Sequence, residues 1–314
     1  MNIQQLEYIV AVDNYRHFEK AAEACFITQP TLSAMIKKLE QELDLKIFDR
    51  SMHPIRPTSA GNLIIEQARI ALRNFRQIKE ISENERNMIQ GEFKLGIIPT
   101  IAPYVVPELL HKQDIDGLDL SLIISESTTD NLIINLLNGN VDGGLMAGPL
   151  NHPKLVEYPI YFEQFYAYVS PLDVMYKEKE IDLDSVDINT IWLLENIHCL
   201  RGQIEQLCHI KRKKNNAASV KYEAGSIETL INVVEQNAGI TIIPEMSAMS
   251  LNEEKQDNLR SFKNLDAYRE VSLVVSKEYM RKAMLNRVLE MIKAVVPVAM
   301  QNDERKRYVV DVKL

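Results

Sequence analysis

Thr28-Gln29-Pro30-Thr31-Leu32-Ser33-Ala34-Met35-Ile36-Lys37-Lys38-Leu39-Glu40 is the stretch that decides how this chain is read. Leu32, Ile36 and Leu39, continued by Leu43, fall at helical spacing and make one apolar stripe. Pro30, Ser33, Ala34 and Lys37 lie on the other side, flanked by Thr31 and Lys38. Thr28 suits the position before a helix, and proline tolerates the first turn because its missing N–H would be unpaired there anyway. Hydroxyls and lysines on an exposed helix face suit a DNA major groove. Periodicity alone would describe the wetted side of an ordinary bundle equally well. Two shorter helices precede this one. Ile3, Leu6, Ile9 and Val10 mark the first, and a second runs from about Phe18 to Cys25, where Ala21-Ala22 let a neighbour approach closely. The turn Phe26-Ile27-Thr28 leads into the third.

Toward the carboxyl side, Leu45-Lys46-Ile47-Phe48-Asp49-Arg50, Ser51-Met52-His53-Pro54 and Ile55-Arg56-Pro57-Thr58 read as two short strands around a tight turn. That is a wing, with Arg50 and Arg56 available to phosphates. Thr58 then caps a helix predicted from about Ser59 to Met88, roughly 45 Å long at ~1.5 Å per residue. Along it Ile64, Ala68, Ala71, Phe75 and Ile78 alternate steps of four and three, the seam of a two-stranded coiled coil. A dimer follows, whose paired modules would read two half-sites.

Residues 1–88 resemble the winged helix-turn-helix and linker helix of LysR-type transcriptional regulators. The resemblance is carried by Ala21-Ala22, Thr28-Gln29-Pro30-Thr31-Leu32-Ser33, Ile36-Lys37-Lys38-Leu39-Glu40, Leu43, Leu45, Phe48-Asp49-Arg50 and Thr58-Ser59-Ala60-Gly61. It implies double-stranded promoter DNA as the partner. Thr28, Gln29, Pro30, Thr31, Ser33, Lys37 and Lys38 are the candidates for the groove and nearby backbone, with Arg50 and Arg56 on phosphates.

From Gly91 the pattern changes. Phe93–Pro99, Leu118–Ile124, Ile240–Ile243 and Val271–Val275 read as strands, and Asp142–Met146 and Val220–Tyr222 are further stretches between the helices. Helices are predicted from about Pro103, through Leu137, from Ser226 to Asn237 and from Met280 to Val295. Alternation of this kind predicts parallel α/β sheets, with ligands beyond the strands' carboxyl ends, where Thr100 and Thr129 fall. Either threonine could equally be a helix cap. The fold class is therefore α/β with an α-rich winged helix-turn-helix amino-terminal domain. The family resemblance makes the remainder a periplasmic-binding-protein-like effector domain of two subdomains, the chain crossing near Phe162–Tyr166 and returning near Leu265–Arg269. The predicted boundaries are 1–58 for the winged module and 59–90 for the dimerisation helix. The regulatory domain is 91–302, with subdomain I at about 91–163 and 267–302 and subdomain II at about 164–266. Residues 303–314 form a polar tail.

A cysteine pair dominates the second half. His198-Cys199-Leu200-Arg201 is followed by Cys208, and both an imidazole and a guanidinium beside a thiol favour the reactive thiolate. If the segment is helical, the two Cα atoms lie roughly 13 Å apart, whereas a disulfide needs about 4.4–6.8 Å. Bonding them would require unwinding, which describes a switch better than a staple. Glu195-Asn196-Ile197-His198-Cys199-Leu200-Arg201 with Cys208, and Gly225–Leu230 with Gly239–Pro244, resemble the peroxide-sensing OxyR subfamily. That resemblance spans nearly the whole chain; only the tail after about Asn302 has no clear counterpart. It implies that Cys199 is the peroxidatic thiol and Cys208 the resolving one. Thr100, Thr129 and His198 would hold the peroxide, while Asp142 and Arg201 assist oxidation or the transition. It also implies a homotetramer, a transcription activator that engages RNA polymerase, and neither cofactor nor metal.

Composition bounds the alternatives. The chain has 314 residues, 46% of them hydrophobic and 25% charged, enough for more than one core. No apolar run approaches the ~18 residues of a membrane span and the first residues are not those of a secretory signal. With three cysteines, a cytoplasmic location is expected. The net charge is -8, yet residues 1–90 carry twelve Lys and Arg against twelve Asp and Glu, so the whole excess lies after them. Three rivals remain: a LysR-type regulator sensing a small metabolite in the effector cleft, a zinc site of His198, Cys199, Cys208 and His209, and a thiol peroxidase. The nine-residue spacing argues against zinc, and an enzyme has no use for residues 1–88. Cys25 reads as a small core residue, and Lys211–Lys214 as solvated charges at a helix end.

Overall fold

A computed structural model describes residues 1–85, 91–116, 120–186, 190–195, 197–207, 222–263, 265, 267–310 and 312. The chain divides into two compact units, Met1–Asn87 and Met88–Leu314. The predicted end of the linker helix at Met88, the start of the stretch at Val220, Cys208, His209 and Lys211–Lys214 lie outside the described residues.

In the first unit α1 (Ile3–Tyr15), α2 (Phe18–Ala24) and α3 (Gln29–Glu42) enclose Ile9, Val12, Ala21, Leu32, Ile36 and Leu39. A reciprocal capping box of Asn2 and Gln5 starts α1. Thr28 occupies the cap position of α3 but makes no backbone cap bond. Its hydroxyl instead meets that of Thr31 at 2.8 Å. The wing is β1 (Phe48–Asp49) antiparallel to β2 (Arg56–Pro57). Glu40, buried near the end of α3, locks the wing by accepting from the Ile47 and Phe48 amides at 2.9 and 3.3 Å.

The long helix α4 (Ser59–Glu85) is capped by Thr58, whose hydroxyl accepts from the Gly61 amide at 2.9 Å. Gly61 is the contact point with the wing: a Cβ there would lie 2.0 Å from the Ile47 carbonyl oxygen. Backbone cannot swing aside as a side chain can. Gly61→Ala is therefore expected to destabilise this unit by about 1–3 kcal/mol, read as a lower denaturant midpoint. The predicted seam needs correction. Ala68 does not face outward but packs into the core with Ile65, because that face of α4 covers α1. Among the described side chains, Ala71, Phe75 and Ile78 of that seam are exposed, together with Leu63 and Ile70.

The second unit is built on an eight-stranded sheet with path β4-β3-β5-β10-β6-β9-β7, and β8 also pairs with β6. These strands are β3 (Gly91–Ile97), β4 (Leu120–Glu126), β5 (Gly143–Gly148), β6 (Leu155–Val169), β7 (Glu180–Ile181), β8 (Ile240–Pro244), β9 (Leu259–Phe262) and β10 (Tyr268–Ser276). β3, β4 and β5 are parallel, as α/β alternation predicts. The rest corrects an all-parallel expectation: β10 runs antiparallel to β5 and β6, and β6 antiparallel to β8 and β9. The reason is that β6 and β10 carry the chain between two cores and must run in opposite directions. One core gathers β3, β4, β5, α5 (Ala102–Asp116), α6 (Thr129–Asn138) and α11 (Lys282–Val295). The other gathers β8, the second half of β6, α7 (Cys199–Leu207) and α8 (Ile227–Gln236). Two short helices, α9 (Glu245–Met249) and α10 (Glu253–Gln256), follow β8.

Candidate functional site

The two crossing strands place one unusual residue. Arg269 on β10 stands directly opposite Glu163 on β6, and both side chains are almost wholly buried. Arg269 Nη1 lies 3.4 Å from Glu163 Oε1, and Nη2 donates to Thr100 Oγ1 at 2.6 Å. The Cys199 sulfur lies near the same guanidinium and favours its charge. Burial opposes the charge on Arg269, but Glu163, Cys199 and Tyr161 outweigh it and hold the guanidinium more firmly protonated than usual. Burial pushes Glu163 up to about 7, against the pull of Arg269 and the Met246 amide.

The predicted site residues arrive from different elements. Thr100 follows the carboxyl end of β3, and Thr129 opens α6 beyond the carboxyl end of β4, its neighbour in the sheet. Both are buried, and Thr100 is no cap: its oxygen belongs to Arg269. Cys199 is the first residue of α7, half-buried, and packs on the first core while Leu200 lies in the second. The sulfur therefore sits where the two cores meet. His198 precedes it, buried; desolvation holds its imidazole below the ordinary range, against the pull of Glu195 and the Gly225 backbone. Two polar atoms of this cluster, Arg269 Nε and His198 Nε2, are buried without a partner among the described residues. Tyr104 on α5 bridges the same two cores by donating to Glu228 on α8 at 2.9 Å.

Two predicted supporting residues stand elsewhere. Asp142 lies level with Lys94, accepting from its amide at 2.8 Å, on the amino-terminal side of the strands whose carboxyl ends carry Thr100 and Thr129. Arg201 is held by Glu205, Glu223 and the Leu194 carbonyl at 3.0, 2.6 and 2.8 Å. Its charge is spent there. The guanidinium at Cys199 is Arg269, seventy residues away in sequence, and no motif near the cysteine announces it. Its one sequence signal is an arginine opening a strand whose next six positions are buried, where a lone cation needs a buried partner. Among the described residues no group of three His, Cys, Asp or Glu gathers as a metal site.

In the first unit Thr28, Gln29, Pro30, Thr31, Lys37, Lys38 and Arg56 are exposed. Ser33 is half-buried and accepts from Arg50 at 3.1 Å. Arg50 is exposed, as the phosphate expectation requires, and it also pairs with Glu40 at 3.2 Å and lies 5.0 Å from the Phe18 ring, so it braces α3 to the wing. The cations that sequence reasoning passed over are Arg16 and Lys20. With His17 and His53 they line a groove beside Gln29 and Ser33.

These features define a class. Residues 3–62 match the bacterial regulatory helix-turn-helix protein family of lysR type, and residues 86–297 match the LysR substrate binding domain. The chain belongs to the LysR family of bacterial regulators. Within it, the chain is 34% identical over 250 residues to the hydrogen peroxide-inducible genes activator of Haemophilus influenzae, covering 80% of this chain and 82% of that one. It is 30% identical to the DNA-binding transcriptional dual regulator OxyR of Escherichia coli, over 79% of this chain and 80% of that one. A full-length OxyR variant from Pseudomonas aeruginosa superimposes with a TM-score of 0.76 at 28% identity, over 93% of this chain and 98% of that one. A peroxide-bound OxyR variant from Corynebacterium glutamicum gives 0.59 at 26%, over 94% and 92%.

Proposed function

We propose that this chain is a cytoplasmic DNA-binding transcription regulator, chiefly an activator, that detects hydrogen peroxide by reversible bonding of Cys199 to Cys208. The observation that carries this reading is the buried Arg269 guanidinium, which donates to Thr100 and stands near the Cys199 sulfur at the amino terminus of α7. A cation and a helix amino terminus both favour negative charge on an attacking sulfur. Hydrogen peroxide is small and offers only two O–H donors and its oxygen lone pairs. Hydroxyls of Thr100 and Thr129, which donate and accept, and the buried His198 nitrogen match that inventory.

The Cys199 thiolate attacks one peroxide oxygen and the O–O bond breaks; the sulfur becomes a sulfenic acid, while the other oxygen leaves as hydroxide, takes up the proton that the thiol had released and departs as water. The Cys208 thiol then displaces the sulfenic oxygen, giving the disulfide and a second water. Two thiols are oxidised and one peroxide is reduced. The exposed hydroxyls and lysines of α3 would read the groove, with Arg16, Lys20 and Arg56 near phosphates. The exposed apolar side chains Leu63, Ile70, Phe75 and Ile78 support pairing of two chains through α4. Tetramer formation and contact with RNA polymerase complete the reading.

Thiol titration with mass mapping, before and after one equivalent of peroxide, tests it. The expected result is loss of two thiols and a single 199–208 cross-link, with Cys25 unmodified and no continued peroxide consumption. Oxidation confined to Cys25, or turnover of many equivalents with a thiol reductant, would refute the proposal.

A further inference from the structure

The segment after Asn302, which no feature of the site has yet used, runs across the junction of the two cores. A 3-10 turn, Asp303–Tyr308, is started by Asn302, whose side-chain oxygen accepts from the Glu304 amide at 3.0 Å. Arg305 then fastens it to three elements. Its Nη1 donates to the Phe162 carbonyl at 2.9 Å on β6 and to Glu245 Oε2 at 3.2 Å at the start of α9. Its guanidinium also lies 5.2 Å from the centre of the Tyr268 ring on β10. Further along, Val309 bridges to Tyr268, and the Val310 amide donates to the Tyr268 carbonyl at 2.9 Å. Val310 packs on the second core and Val312 in the first.

The last link reaches the sensing helix. Gln203, at the middle of α7 and with no exposed surface, donates from Nε2 to the Val310 carbonyl at 3.1 Å. Helical residues Cys199 and Leu207 are separated by roughly 12 Å along α7. Cys208 is one peptide link, about 3.8 Å, beyond Leu207. Wherever it points, its Cα stays at least about 8 Å from that of Cys199, outside disulfide range. Part of α7 must therefore unwind before the second sulfur arrives, and Gln203 lies inside the part that must move.

We infer that residues 303–312 are a strap that holds α7 helical and so sets how readily the 199–208 disulfide closes. This rests on the proposed redox reading. Among the described residues no hydrogen bond joins the strap to Cys199, Thr100 or His198, so it acts on the second step, closure, and leaves peroxide attack alone. Arg305 and Gln203 are positioning residues, the first anchoring the strap and the second transmitting its hold.

The test uses the full chain with Arg305→Met, a partly exposed residue whose loss spares both cores, and separately Gln203→Met, which keeps the side chain's length without its donor. Amide hydrogen exchange of residues 200–207 in the reduced protein reads the strap without any peroxide chemistry. Faster exchange is expected in both variants, by about fivefold, the factor that one net hydrogen bond represents. On adding peroxide, sulfenic acid trapping by dimedone should keep the parent rate, while disulfide closure should quicken by about the same factor. Unchanged exchange in both variants would overturn the strap. So would faster exchange with unchanged closure. A parent chain that never forms the disulfide, yet shows faster exchange in the variants, would instead fault the redox reading and leave the mechanical hold standing. Should Gln203→Met fail to fold, Arg305→Met alone decides.

Discussion

Replacing Arg269 by methionine is expected to slow oxidation of Cys199 by peroxide ten- to a hundredfold, the range of a charge-assisted hydrogen bond. The side chain is buried and serves Thr100, Glu163 and Cys199 together, so one change removes the cation from the sulfur and frees the threonine hydroxyl. The same substitution should cost about 3–5 kcal/mol of stability, because Glu163 is left buried without its partner. The cost should depend on pH. In the parent chain Glu163 titrates near 7 when folded and near the ordinary carboxylate value when unfolded. The native state then binds more protons between about 4.5 and 7, and stability from this group falls as pH rises through that window. Without Arg269 the folded value climbs further, so the variant's deficit should be larger at pH 8 than at pH 5.5. His198, whose folded value is lowered, works in the opposite sense, losing stability as pH falls below about 6.5. It is present in both chains and largely cancels in the comparison. Urea unfolding at the two pH values, with stopped-flow oxidation beside it, measures both effects. A deficit that shrinks with rising pH would contradict the assignment.

Cys199→Ser should abolish the response to peroxide and leave DNA binding intact. A serine hydroxyl is not oxidised by peroxide, yet it can still meet the Arg269 guanidinium and is well suited to the start of a helix. The winged module draws its core from its own residues and does not depend on this sulfur. Cys25→Ser is the matching control. Its thiol is raised by burial and by Glu7, which disfavours the reactive form, so the response should persist. Footprints on a selected operator, with and without peroxide, separate these outcomes. A serine variant at 199 whose footprint still shifts would sink the mechanism.

The site was only partly legible in the chain. Thr100 and Thr129 fall at the carboxyl edge of the sheet, which is a local pattern, but that pattern alone reads equally as helix caps and only the family resemblance singled them out. His198 and Cys199 are neighbours in sequence and needed no fold to bring them together. Arg269 is different. It reaches Cys199 only because β6 and β10 cross side by side, with Arg269 opposite Glu163. Arg201 was the natural choice for a cation beside the thiol until Glu205 and Glu223 were seen to hold it. Arg50 gains its partner in the same way, since Glu40 lies ten residues before it and pairs with it only once the wing folds back.

Local chemistry by itself determined the three-helix module, its wing, the long helix and the alternating strands and helices, since caps, turns and apolar spacing act within a few residues. It also determined that two thiols nine residues apart cannot bond across an intact helix. Only the tertiary structure decided which face of α4 is spent on its own module, which arginine serves the sulfur, and where residues 303–312 lie. Those are outcomes of burial. A charge removed from water must find its partner wherever the chain brings one, and no distance along the sequence limits that choice.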